Sequence, residues 1–143
     1  MSTEDNKAII RRWVDAWNTQ NVAAVDDFVT PDYVRHDPNV PEVRGPAAEK
    51  QLMTMFLSAF PDLHLTIEDL VAEGDRVVMR LMARGTHQGQ LLGIPPTNRH
   101  IAISSLEIFR LAGGKITEQW VTMDALGMLQ QLGAIPMPRQ PGT

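Results

Sequence analysis

Two runs of alternating apolar and polar residues, joined by Gly113-Gly114, constrain this chain more than any other feature. Paired glycines accept the positive φ of a tight hairpin turn, and the flanking runs, about His100 to Leu111 and Ile116 to Met123, carry the β-branched and aromatic residues of strands. Alternation assigns faces: Ile103, Ser105, Glu107 and Phe109 lie on one side of the first strand, with Ser104, Leu106, Ile108 and Arg110 on the other. In the second strand Val121 and Met123 oppose Trp120 and Thr122. Beyond it Leu126, Leu129, Gln130 and Leu132 recur at helical intervals until Gly133 and Pro136 stop the run. Asp124 stands at this strand-helix junction. On spacing alone it reads first as an N-cap, accepting from the backbone N–H of Leu126 or Gly127, and only second as an acid placed to do chemistry.

The segments before this hairpin indicate the fold class. Thr3 is a candidate cap for a helix with Glu4 and Asp5 in its first turn and an Ile10, Trp13, Val14, Trp17 stripe. Val22, Val25, Phe28 and Val29 suggest a second, short helix, ended by Thr30-Pro31. A third opens at Gly45-Pro46, aligns Leu52, Met55, Phe56, Ala59 and Phe60, and closes at Pro61. Leu63, Leu65 and Ile67 then alternate with polar residues, Gly74-Asp75 turns the chain, and Val77, Met79, Leu81 and Ala83 alternate back. Three helices, about four long strands and a terminal helix make an α+β domain with helices on one sheet face. Both faces of the last two strands carry apolar groups, so the helix-free face is expected to meet another subunit, as a homodimer or homotetramer. Residues 1–135 read as one domain and 136–143 as a Pro-rich tail.

At 143 residues the chain can bury a core and still leave a ligand cavity. Thirteen basic against seventeen acidic side chains give a net charge of −4, without the basic excess that phosphate backbones require, so nucleic acid is not an expected partner. Cysteine is absent, which removes disulfides, thiolate metal sites and cysteine nucleophiles. No run reaches the roughly 20 apolar residues of a membrane helix, and the N-terminus lacks a signal-peptide pattern; the expectation is a cytoplasmic protein without membrane contact.

The chemistry open to this chain is narrow. His36, His64, His87 and His100 form no pair at metal-ligand spacing, so no metal is expected. Gly85, Gly89 and Gly93 lack the context of a phosphate loop, and Ser104-Ser105 lacks a nucleophile elbow. Carboxylate and imidazole acid/base chemistry remains. Glu107 interrupts an apolar strand face, where a carboxylate must be paired or protonated; Arg84 and Arg99 are the candidate structural partners. Trp17, Tyr33 and Trp120 are candidates to line a pocket for a flat ligand, or plain core. His36, in Tyr33-Val-Arg-His-Asp-Pro38, reads as a loop residue that contacts ligand or only its own loop.

An ordered set of short motifs gives the chain a family resemblance: Ala16-Trp-Asn18, Ala59-Phe-Pro-Asp62, Thr86-His-Gln-Gly89, Gly93-Ile-Pro-Pro-Thr97, Gly114-Lys-Ile116 with Trp120, Asp124-Ala-Leu-Gly127 and Gln131-Leu-Gly133. In these it resembles the SnoaL-like polyketide cyclases, within the nuclear-transport-factor-two-like and ketosteroid-isomerase-like folds. The resemblance implies a cone-shaped, curved, mostly antiparallel sheet wrapped by three N-terminal helices and a short C-terminal helix, enclosing a cavity. It also implies oligomers built through the sheet, and an enzyme closing rings by intramolecular aldol condensation without metal or organic cofactor. Asp124 would be the acid/base, with His36, His87 and Glu107 as electrophilic or orienting groups, and Trp17, Tyr33, Phe56, Ser105 and Trp120 contacting a small or polyketide-like carbonyl substrate. In the family's cyclases the long strand offers Gln and His where this chain has Ser105 and Glu107. Glu107 is similar instead to relatives that hydroxylate. Tyrosine replaces Trp17 in some cyclases, and glycine is common at Asn98. Two further readings stay open: a non-catalytic binding module, and hydrolysis by a carboxylate-activated water, as in epoxide hydrolases of this fold, which needs an arginine between two acids at the cavity floor.

Overall fold

The Gly113-Gly114 turn forms as its sequence predicts, with φ of +57° and +81°, and the two strands it joins set the frame for everything else. The computed structural model describes residues 2–136. The helix α1 (Thr3–Asn18) leads through a 3-10 turn (Val22–Ala24) to the short α2 (Val25–Phe28), then to strands β1 (Val29–His36) and β2 (Val43–Arg44). The helix α3 (Gly45–Ala59) precedes β3 (His64–Glu73), β4 (Arg76–Thr86), β5 (His100–Ala112) and β6 (Lys115–Met123), and α4 (Ala125–Gln131) follows. All six strands share one sheet in the order β2-β1-β6-β5-β4-β3. Only β1 and β6 run parallel, so the curved, open sheet is mostly antiparallel and the fold is α+β as expected.

Three local expectations are corrected. Ser2 rather than Thr3 caps α1: its hydroxyl accepts from Asp5 N at 3.0 Å while Asp5 Oδ2 accepts from Ser2 N at 3.2 Å, a reciprocal capping box. The second helix ends at Phe28, because Val29 already pairs with Ile116 in the sheet. Thr30-Pro31 therefore lies inside β1, not in a loop. The register slips between Val29 and Val34, and that irregular stretch accommodates a proline without a ladder donor. His36 is consequently a strand residue, opposite Trp120. The tail expected from Pro136 onward lies, past Pro136 itself, outside the described residues.

The core sits between the helices and the inner sheet face. Burial along β5 alternates without a break from Ile101 to Phe109, every second residue being covered. Ile10, Trp13, Val25, Met53, Val77, Phe109 and Ile116 are 2% exposed or less, and each such side chain contributes about 1.5–3 kcal/mol by leaving water. Two of the family motifs have a visible purpose. Asp62 accepts from the backbone N and the hydroxyl of Thr86, both at 2.7 Å, fastening the α3-β3 connection to the end of β4. Gln88 and Gly89 donate to Ala59 O at 2.9 and 3.1 Å, and a side chain at 89 would collide with the Ser58 carbonyl. Asn98 takes φ +59°, the left-handed region that glycine also supplies. On the opposite sheet face Val78, Leu106 and Ile108 remain 41%, 54% and 37% exposed.

Candidate functional site

Between the inner sheet face and the helices lies a cavity that opens to solvent. Trp13 and Trp17 of α1, Phe56 of α3 and Phe60 just beyond it form one wall; Leu81, Ile103, Val121 and Met123 of the sheet form the other. Met128 of α4 completes the enclosure. Among these apolar surfaces stand four polar side chains, Arg35, Ser105, Glu107 and Gln119. Each is at most 8% exposed. A polar group so far from water needs a partner, and the partners found here connect all four to a larger network.

Strand register brings the network together. On β5 the alternation that buries Ile103 and Phe109 also turns Ser105 and Glu107 inward. On β6 it turns Gln119 inward, diagonal to Glu107, which is itself opposite Val121. On β1 it turns Tyr33 and Arg35 inward, and Arg35 pairs in register with Gln119. Glu49 of α3 faces β1 from the helix side. Gln119 Nε2 donates to Glu107 Oε1 at 2.6 Å, and Ser105 Oγ donates to Glu107 Oε2 at 3.3 Å. Tyr33 Oη donates to Gln119 Oε1 at 2.6 Å and lies 3.3 Å from Glu49 Oε2; Arg35 Nη1 donates to Glu49 Oε1 at 3.2 Å.

Electrostatics sharpen the picture. Burial holds the Glu107 carboxyl above the ordinary carboxylate range, although Arg35, Gln119 and Ser105 all favour its ionised form. Burial likewise raises Glu49, against the pull of Arg35 and Tyr33. The Tyr33 hydroxyl is pushed well above its usual range by burial and then by Glu49, so it keeps its proton. Burial opposes the charge of Arg35, but Glu49, Tyr33 and Glu107 outweigh it and the guanidinium stays a cation. Its Nε–H has no protein acceptor among the described residues. The site thus holds, facing the cavity, one carboxyl whose proton affinity burial raises, ringed by donors.

The residues singled out from sequence divide into two groups. Trp17, Phe56, Ser105 and Glu107 line the cavity. Tyr33 does not; it is fully buried behind Gln119. His36 and Trp120 are on the other side of the sheet, stacked with ring centroids 5.6 Å apart, and His36 is held by Glu118 at 2.7 Å and Glu42 at 3.3 Å. The reason is parity: both sit one residue out of phase with the inward-facing Arg35 and Gln119. His87 is buried behind Phe60, with centroids 5.5 Å apart, and its Nδ1 accepts from Thr97 N at 3.2 Å. Asp124 is exposed, caps α4 by accepting from Gly127 N at 2.9 Å, and is not among the lining residues, although its neighbours Met123 and Met128 are. Neither Arg84 nor Arg99 is bonded to Glu107; the nearby cation is Arg35.

Arg35, Glu49 and Gln119 were missed from sequence. One signal was available. Glu49 falls on the same helical stripe as Leu52, Met53 and Phe56, at i, i+3, i+4 and i+7, where an acid is out of place unless paired. Gln119 shares the inward parity of Val121. No candidate metal cluster of three or more His, Asp or Glu side chains occurs among the described residues, nor any helix long and apolar enough to cross a membrane.

Known proteins resemble the chain along nearly its whole length. Aklanonic acid methyl ester cyclase DnrD of Streptomyces peucetius is 32% identical over 145 residues, covering 99% of this chain and 98% of that protein. Nogalonic acid methyl ester cyclase of Streptomyces nogalater is 32% identical over 131 residues, covering 90% and 97%. Among solved structures, AclR of Streptomyces galilaeus, a provisionally assigned hydroxylase, superposes with a TM-score of 0.87 at 32% identity, covering 97% of this chain and 87% of AclR. TsrD of Streptomyces laurentii gives 0.85 at 30% identity, covering 94% and 99%. The model of the SnoaL-like polyketide cyclase family matches residues 7–132. With its sheet, its cavity and the motifs that fasten them all accounted for along that span, the chain belongs to the SnoaL-like polyketide cyclase family.

Proposed function

We propose that the protein is an enzyme that closes a ring in a polyketide-like carbonyl compound, with Glu107 as the group that exchanges the proton. The single observation that carries this reading is a buried carboxyl, raised by its surroundings and hydrogen-bonded to Gln119 and Ser105, at the polar patch of an otherwise apolar cavity. Ionised Glu107 takes a proton from a carbon between two carbonyls, and the electron pair moves onto an oxygen as an enolate. Arg35 and Ser105 are the donors available to that oxygen. The enolate carbon attacks a second carbonyl of the same molecule, and the alkoxide formed receives the proton back from Glu107. Every atom of substrate is kept, and no metal or organic cofactor takes part. The relatives named as cyclases of aklanonic and nogalonic acid methyl esters support the substrate class: a flat aromatic ketoester suits walls of Trp13, Trp17, Phe56 and Phe60.

Asp124 holds the helix cap in this reading, and the acid/base role that the family resemblance gives it passes to Glu107. The exposed apolar strip of Val78, Leu106 and Ile108 is the face through which two copies of the chain would pair.

A second reading has its own support. Arg35 lies within electrostatic reach of both Glu49 and Glu107, part of the arginine-between-acids arrangement that water activation needs, with Glu107 the one of the two acids that faces the cavity and could meet a water. One experiment separates the two. Incubation with a methyl ketoester of the aklanonic type, followed by mass spectrometry, yields an isomer of unchanged mass if a ring is closed, and the free acid, lighter by one CH2 with methanol released, if an activated water attacks the ester. Absence of any conversion or binding overturns both.

A further inference from the structure

Glu49 is fully buried, does not line the cavity and takes no part in the steps above. Yet an unbroken run of contacts joins it to Glu107: Glu49 to Tyr33 at 3.3 Å, Tyr33 to Gln119 at 2.6 Å, Gln119 to Glu107 at 2.6 Å. Tyr33, Glu49 and Gln119 are each 0% exposed, so these links face little competition from solvent. Each link has a direction. An ionised carboxylate only accepts, the Gln119 amide has one donating and one accepting end, and Tyr33 has a single proton to give.

These rules allow two consistent arrangements. With Glu107 ionised, Gln119 must turn its Nε2 toward it and its Oε1 toward Tyr33; the tyrosine proton goes to Gln119, and Glu49 receives none from it. With Glu107 protonated, its O–H donates to Oε1 of a turned amide, Nε2 donates to Tyr33 Oη, and the tyrosine proton swings to Glu49. No proton travels along the run, since only the hydroxyl and the amide reorient. The proton on Glu107 is the one taken from substrate and later returned. Arg35 supplies one positive charge to two carboxyls, and Asp37 adds further negative potential at both ends of the Arg35-Glu107 pair. Ionising both acids at once is the costly state.

We propose that Glu49 is a positioning residue that governs which protonation state Glu107 presents to the cavity, through reversal of the hydrogen bonds at Gln119 and Tyr33. Its catalytic consequence rests on Glu107 being the proton-exchanging group; the coupling itself does not. The test is therefore made without substrate, by NMR on protein carrying ¹³C at the glutamate carboxyl and at the tyrosine ring carbon that bears oxygen. In the unaltered protein the Tyr33 signal must move with the titration of Glu107. Tyr33→Phe removes the donor that keeps Oε1 of Gln119 away from Glu107, so Glu107 binds its proton about tenfold more tightly. Glu49→Gln removes a negative charge and leaves Arg35 to Glu107, so the proton is held about tenfold less tightly.

Opposite signs are the signature. General loosening of the core would admit water in both variants and weaken proton binding in both. The proposal is overturned by a Tyr33 signal that stays flat through the Glu107 titration. A Tyr33→Phe variant whose Glu107 holds its proton no more tightly, or a Glu49→Gln variant whose Glu107 holds it no less tightly, overturns it too. Should either variant fail to fold, the unaltered protein's Tyr33 signal decides. Retained turnover in Glu107→Gln would remove the catalytic reading and leave these ligand-free results standing.

Discussion

Asp124 and Glu107 are two carboxylates of the same C-terminal hairpin unit, and their surroundings differ in every respect that matters to acid/base chemistry. Asp124 is exposed, and its oxygen accepts from the first turn of α4. Glu107 is 7% exposed, faces an apolar cavity and accepts only from side chains. Glu107 has neither open solvent nor a helix end beside it, and burial raises its proton affinity against the pull of Arg35, Gln119 and Ser105. An acid at a strand-helix junction is thus conspicuous in sequence for the reason that makes it a good cap. An acid on an apolar strand face is the one whose proton affinity the fold can tune.

The largest effect expected from this contrast is on turnover. Glu107→Gln should lower kcat by about 10²–10⁴ with the fold intact, while Asp124→Asn, which keeps a competent cap, should stay within about threefold of the parent. Steady-state kinetics on a ketoester substrate measures both, and the reverse ranking would return the acid/base role to Asp124. Next in size is Arg35→Met, which leaves Glu49 buried without its cation and should cost about 3–5 kcal/mol in denaturant unfolding.

The pH dependence of stability follows from the raised carboxyls. Glu49 and Glu107 bind protons more tightly folded than unfolded, so their contribution is complete below the unfolded carboxylate range and is lost as pH rises through their folded values. Melting temperature should therefore fall as pH rises above the ordinary carboxylate range, and fall less in Glu107→Gln; an equal fall would mean that Glu107 is not raised. The smallest effect is at the junction, where Asp124→Ala should cost about 1 kcal/mol by calorimetry, the loss of an ordinary cap.

Much of the fold was legible because its signals are local. The β5 alternation, the Gly113-Gly114 turn and the proline bounds of α3 each lie within a dozen residues, and the short motifs gave the family. The site was less legible because it is assembled by parity and register. Glu107 and Ser105 could be placed on the inner face from β5 alone. Trp120 could be set opposite Val121 from β6 alone, but His36 could not be assigned a side until β1 was known to be a strand, and the proline within it concealed that. Arg35, Glu49 and Gln119 come from a strand, a helix and a second strand far apart in sequence, and each resembles an ordinary surface residue until its neighbours are known. Their value is collective, which a reading one segment at a time does not see.

The parallel pairing of β1 with β6 carries a consequence for how the protein is made. Among the described residues β1 has, apart from the two-residue β2, no strand neighbour other than β6. On the ribosome the β3-β4-β5 meander can zip up as it emerges, whereas Tyr33 and Arg35 must wait until residue 119 is available. Such a long loop closure is slow and comes late, so the cavity is sealed by the last of the six described strands to be synthesised. A chain released early would retain much of its hairpin sheet and lack the network that joins Glu49, Tyr33 and Gln119 to Glu107.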